Sequence, residues 1–170
     1  MNSDGTDTLQ IDNNALTIRP IAITDAERLA RLFDRLSPSS VHFRFFSPIS
    51  RPPRPALLRL ADVDHDRRDA LVALDGDEIV AVARYDGRPG AREAEIALTV
   101  EDAWQHRGVG RRLAVRLAKV AEARGFDTFV ASVLPDNRAA LGLVHKLAPH
   151  AAVRWSGGEY EARMPLAHAS

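Results

Sequence analysis

The residues best able to do chemistry gather in one short stretch, Gln105-His106-Arg107-Gly108-Val109-Gly110. An apolar-patterned strand, Glu95 to Val100, runs into it. A helix opens directly behind it, with Leu113, Leu117, Val120 and Ala121 on its buried face. Such a junction aims backbone N–H groups and the positive end of the helix dipole at one point. Gly108 and Gly110 free the backbone for unusual angles and keep side chains out of the way of a phosphate. Arg107, Arg111 and Arg112 add charged donors for phosphate oxygens. The stretch suits a pyrophosphate.

Two phosphate motifs fail on the residues. A dinucleotide fingerprint needs a third glycine where this chain has Leu113, and a P-loop needs Gly-Lys-Ser/Thr where Gly110 is followed by Arg111-Arg112. With no cysteine, a thiolate nucleophile, a Cys-ligated zinc and a disulfide are excluded. The histidines, His42, His65, His106, His145, His150 and His168, show no ligand spacing, so no metal is expected.

The 170 residues suit one domain with one sizeable core. Basic and acidic residues balance at 23 each, so no basic excess points to a nucleic-acid partner. No apolar run reaches the length of a membrane span, and the first residues lack a signal-peptide pattern. These features predict a cytoplasmic protein with neither nucleic acid nor membrane as partner. They leave its oligomeric state open.

Residues Met1 to Ala15 are polar and are expected to form a mobile tail, with 16–168 as a single domain. Leu16 to Pro20 alternates as a half-buried strand does. Thr24-Asp25-Ala26-Glu27 reads as a capping box before a helix that Ser37-Pro38 ends. A short second helix is expected within Ser39 to Pro48, where Val41, Phe43, Phe45 and Phe46 crowd beside His42 and Arg44, and Ala56 to Ala61 adds a turn or two. Ala70 to Leu74 and Ile79 to Ala83 are strand-like runs joined through Asp75-Gly76-Asp77, a hairpin signal, and Ala94 to Val100 makes a third strand. Beyond the glycine loop come a helix to Gly125, a strand from Thr128 to Leu134, a helix from Asn137 to Ala148, and a hairpin pairing Ala151–Trp155 with Glu159–Met164. This order predicts an α/β (α+β) domain. Its central sheet should be mixed, mostly antiparallel, with about six to seven strands flanked by helices.

With a strand before it and a helix after it, Gln105 to Gly110 resembles the acetyl-CoA signature of the GNAT (Gcn5-related N-acetyltransferase) superfamily. Leu134-Pro135-Asp136-Asn137-Arg138-Ala139-Ala140 resembles a later block of those proteins, in which an Asn opens a helix near the pantetheine. Leu36 to Phe46 looks like the catalytic domain of bacterial Pat-like protein lysine acetyltransferases. The resemblance implies the GNAT fold and an acetyl-CoA-dependent N-acetyltransferase acting on a primary amine, by family likeness a protein lysine. It implies that Gln105, His106, Arg107, Gly108, Val109, Gly110 and Arg111 hold the cofactor's phosphates. Backbone amides of Leu98 and Val100 would hold the acetyl carbonyl and pantetheine, with Asn137 nearby. Glu95 would relay a proton to water, and Glu93 on the same face is the reserve. Such a base is needed because a lysine ammonium titrates at about 10.4.

This chain also departs from the family pattern. Many relatives place a Tyr seven residues after the Asn to protonate the departing thiolate, and that slot is Val144 here. Tyr85 and Tyr160 lie elsewhere, and Ala148-Pro149 stands where Gly-Phe is expected. Water can protonate a thiolate. Two other readings stay open: a small-molecule amine acceptor, or a CoA-binding regulatory module with little turnover.

Overall fold

The computed structural model describes residues 5–46 and 52–166. Met1 to Asp4, the breaker Pro48 and the last two residues of the expected domain lie outside them. Among the described residues one sheet holds eight strands: β1 (Asp7–Ile11), β2 (Asn14–Pro20), β3 (Arg68–Asp75), β4 (Glu78–Gly87), β5 (Glu93–Val100), β6 (Thr128–Val133), β7 (Ala152–Ser156) and β8 (Glu159–Pro165). Their spatial order is β1-β2-β3-β4-β5-β6-β8-β7, and only the β5–β6 pair is parallel. Helices α1 (Ala26–Arg35), α2 (Pro38–Phe45) and α3 (Arg54–Ala61) precede β3, while α4 (Val109–Ala123) and α5 (Arg138–Leu147) flank β6 in sequence. This is the expected mixed α/β class.

Each face of the sheet carries its own core. Ala70, Val72 and Val82 pack with Leu29, Leu32 and Phe33 of α1 on one side. Leu71, Ala83 and Tyr85 pack with Leu113 and Leu117 of α4 on the other. Strands covered on both faces read as continuous apolar runs rather than as alternating ones. That is the pattern of Ala70–Leu74 and Ile79–Ala83.

Three local expectations are corrected. The tail is largely a hairpin, because β1 pairs with β2 from Asp7↔Ile18 to Ile11↔Asn14. Leu9 and Ile11 are buried, which suffices to seat a strand added to the edge of β2. Asp12 makes the turn with a φ of 52°, a left-handed angle that Asp tolerates. This hairpin raises the strand count to eight.

Nor is Thr24–Glu27 a capping box. Asp25 is fully buried, and its carboxylate accepts from the Ala22 N–H at 2.9 Å and from both terminal nitrogens of Arg19 at 2.7 and 2.8 Å. Ser37 does more than end α1. Its Oγ accepts the Ser40 N–H at 3.2 Å and, with Pro38 in the first turn, starts α2.

Burial pushes the Asp25 carboxyl up, but Arg19 and the Ala22 N–H outweigh it and hold the group below its ordinary value of 3.8. Asp25→Ala strands the half-buried Arg19 and should cost about 3 kcal/mol, a drop of about 6–12 °C in thermal unfolding near neutral pH. The wild-type advantage is full above the ordinary carboxyl value and is lost as pH falls through the lowered folded one. The two melting curves should therefore converge in acid, and equal melting points at neutral pH would refute the assignment.

Candidate active site

The site grows out of the one parallel pairing. β5 and β6 are in register only over Glu93↔Thr128, Ala94↔Phe129 and Glu95↔Val130. Beyond Glu95 the strands part, β6 staying with β8 and β5 with β4. The edge of β5 from Ile96 to Val100 is thus open on the β6 side. N–H groups alternate between the two edges of a strand. Since the Glu101 N–H donates to Val80 O of β4 at 2.8 Å, the N–H groups of Leu98 and Val100 point to the open edge.

Side chains alternate as well. Glu95, Ala97 and Thr99 face α1, and Leu98 and Val100 face α4. Gly110 closes this second side. A Cβ there would stand 2.9 Å from Leu98 Cδ2 and 3.3 Å from Val100 Cγ2. So Gly110 is an ordinary helical residue that serves close packing, not the unusual backbone angle expected of it. That role falls to Gly108 (φ 81°) and, unexpectedly, to His106 (φ 60°). Left-handed residues in such a turn let successive N–H groups point into one concavity. No side chain caps α4, and its first turn holds no acidic residue, so its terminal N–H groups face outward for an anion.

The arginines are used differently from expectation. Arg107 stacks over Trp104, 4.3 Å from the ring centroid, and its Nε donates to Asp12 Oδ2 at 2.8 Å. Arg112 donates to Gln10 O at 2.5 Å, and Arg116 pairs with Asp7. These contacts fasten the β1–β2 hairpin to the loop and to α4. Arg111 stands exposed in the first turn.

Gln105 ties the loop inward. Its Nε2 donates to Val100 O at 3.0 Å and to Ser40 Oγ at 3.1 Å. Asp102 extends this tie, accepting from the Ser37 N–H (3.0 Å), Ser37 Oγ (2.7 Å) and Ser40 Oγ (3.0 Å). Burial raises the Asp102 carboxyl, but those donors prevail and keep it below 3.8. The start of α2 is thereby locked to the loop.

Glu95 sits where the strands part, exposed, and its charge reaches Arg44 of α2. Glu93 is in an ion pair with Arg163, which weakens it as a reserve base. Asn137 does open α5, its Oδ1 accepting the Ala140 N–H at 3.1 Å. Val144 is buried, and neither tyrosine takes over its slot. Tyr85 is core, donating to Asp66 O at 2.8 Å, and Tyr160 packs on Trp155. Of the phenylalanines, Phe45 packs on Phe33 while Phe46 is exposed. Ser40, Asp102, Arg84 and Thr99, and the tie that Ser37 makes to Asp102, are not signalled by the sequence motifs. Arg84 did leave a signal, a charge set at the end of a doubly buried apolar run.

An open strand edge beneath an uncapped, glycine-bearing helix start, with a carboxylate where the strands part, defines the class: an acyltransferase that works on a CoA thioester. The Acetyltransferase (GNAT) family model matches residues 31–148, and the chain belongs to that family. It is 35% identical over 149 residues to the acetyltransferase PA5475 of Pseudomonas aeruginosa, covering 81% of this chain and 80% of that one. It is 34% identical over 134 residues to the acetyltransferase Pat of Mycolicibacterium smegmatis, covering 76% of this chain but only 40% of Pat. The GNAT domain of S. lividans PAT superposes with a TM-score of 0.89 at 30% identity, covering 97% of this chain and 99% of that one. The expected family, its likeness to Pat and the acetyl-CoA-dependent enzyme class all hold. Among the described residues no group of His, Asp and Glu could hold a metal ion, and no helix is long and apolar enough to cross a membrane.

These features fit acetyl-CoA: edge donors suit a thioester carbonyl, and the helix start suits a pyrophosphate. Gly110→Val would drive two methyl groups into Leu98 and Val100. It should weaken acetyl-CoA binding by about tenfold or more in calorimetric titration while the chain still folds. Undiminished affinity would show that the approach of α4 to β5 is not needed for binding.

Proposed function

We propose that this chain transfers the acetyl group of acetyl-CoA to the ε-amine of a protein lysine by direct attack, with Glu95 as the base. The resemblance of Leu36 to Phe46 to bacterial Pat-like protein lysine acetyltransferases supports a lysine acceptor. The observation that carries the chemistry is the parting of β5 from β6 directly after Glu95. It sets a carboxylate on one face beside donors on the edge.

Bound acetyl-CoA supplies an activated acyl carbonyl. The Leu98 and Val100 N–H groups polarise it, stabilising negative charge where it develops on the oxygen. The acceptor nitrogen forms the new C–N bond as the C–S bond breaks. Its proton passes through water to Glu95, since an ammonium at neutral pH must lose that proton before it can attack. A second proton leaves the nitrogen as the amide forms and passes through water to the departing thiolate, because Val144 has no proton to give. His106, Gly108, Val109 and Arg111 hold the pyrophosphate at the helix start, and Asn137 stands beside the pantetheine. Gln105 and Arg107 act by fixing the loop.

Thermal unfolding with acetyl-CoA, CoA, NAD and ATP added separately tests the donor. A ligand at one hundred times its dissociation constant adds about 2.7 kcal/mol, a rise of several degrees. The two CoA species should raise the melting point and NAD should not; no response to either CoA species would remove the basis of the proposal. Glu95→Gln tests the base. Transfer to lysine peptides should fall by about 10²-fold or more with acetyl-CoA affinity kept, and unchanged transfer would clear Glu95 of that role.

A further inference from the structure

Resting on that reading, the acceptor face of β5 holds a second arrangement that the mechanism leaves unused. The strands align Arg84 of β4 with Ala97 of β5, and Val82 with Thr99. These side chains, with Leu29 and Phe33 of α1, Arg44 of α2 and Leu60 of α3, line one cavity beneath the helices. Arg84 is 9% exposed and Thr99 is 5% exposed.

Neither arginine is matched by an acid among the described residues. Among the described residues neither forms an ion pair. Asp86, whose charge is felt by Arg84, is taken by Arg68 at 3.2 Å, and Glu95 acts on Arg44 only at longer range. Arg84 has five N–H donors, and one of them is placed on Leu60 O at 3.1 Å. Arg44 lies over the ring of its neighbour Phe45. The Thr99 hydroxyl is buried without any partner. Burial, and then the charges of Arg44 and Arg68, pull Arg84 down to about 10, so it is still protonated at neutral pH. Two like charges and an idle hydroxyl around one small, part-open pocket are an arrangement that an incoming anion would relieve.

We propose that Arg84, Arg44 and Thr99 form an anion subsite that takes a carboxylate carried by the amine acceptor. The guanidiniums supply paired donors of the geometry a carboxylate accepts, and the Thr99 hydroxyl supplies a third. Glu95 lies one row along the same face, since it pairs with Asp86 and Arg84 pairs with Ala97. The subsite therefore holds the acceptor by its negative end, with the base beside its positive end. The carboxylate can come from a free amino acid or from an acidic residue next to a target lysine.

Calorimetric titration of the full chain with glutarate, a dicarboxylate without an amine, tests the subsite apart from catalysis. Wild type should bind saturably, and Arg84→Met should bind about tenfold or more weakly, the loss expected for a charge-assisted contact. Thr99→Val removes only the partnerless hydroxyl, so it should fold as wild type and weaken binding in the same direction. No saturable binding by wild type, or equal affinity in all three proteins, overturns the proposal.

Two acceptor pairs then separate the sources: L-lysine against L-lysinamide, and a Glu-Lys peptide against its Gln-Lys counterpart. In one pair the carboxylate member should have a KM about tenfold lower, and Arg84→Met should erase the difference. Equal KM within both pairs would refute an acceptor-borne carboxylate. Loss of acetyl-CoA stabilisation would instead bring down the transferase reading and leave the glutarate result standing.

Discussion

Everything at the candidate active site depends on one break in the backbone hydrogen-bond ladder. A strand in the middle of a sheet normally pairs along both edges, and an unpaired N–H away from water costs about as much as a lost hydrogen bond. β5 keeps β4 along most of its length but keeps β6 for only three residues. What the strand gives up in pairing becomes a row of oriented donors. No side chain could supply that row as rigidly, because it is fixed by the register of the sheet.

Around this gap, separate interactions hold the walls in place. Gly110 brings α4 against Leu98 and Val100, so the helix start stands directly over the open edge. Gln105 takes the Val100 carbonyl, which would otherwise compete for the space, and through Ser40 and Asp102 it couples the loop to α2. Since α2 also carries Arg44, the glycine loop and the pocket lined by Arg84 and Thr99 are joined through one short helix.

Much of this was legible in the residues. The apolar runs gave β3 and β4, the glycine spacing marked the loop, and Asn137 marked the start of α5. The misses share a physical cause, which is that the deciding partner lies far away in sequence. Leu9 and Ile11 look too few to make a strand until β2 offers an edge, and Asp12 looks like part of a polar tail until Arg107 reaches it. Thr24 and Glu27 resemble a capping pair until Asp25 between them turns inward to Arg19. Arg107 and Arg112 carry charges suited to phosphate, yet nothing local reveals that the first hairpin claims them. The role of Gly110 could not be separated from that of Gly108 by sequence, because a missing Cβ serves close packing and left-handed angles equally well.

The fastening of the first hairpin bears on the order in which the chain folds. Its contacts to the loop and to α4 join residues 95, 102 and 109 positions apart. Closures that long form late, because chain entropy must be lost before the contact repays it. Helix α4 and the hairpin between β3 and β4 are local and can form early. The turn before α4 is fastened only once the beginning of the chain returns to it, which places its completion late in folding.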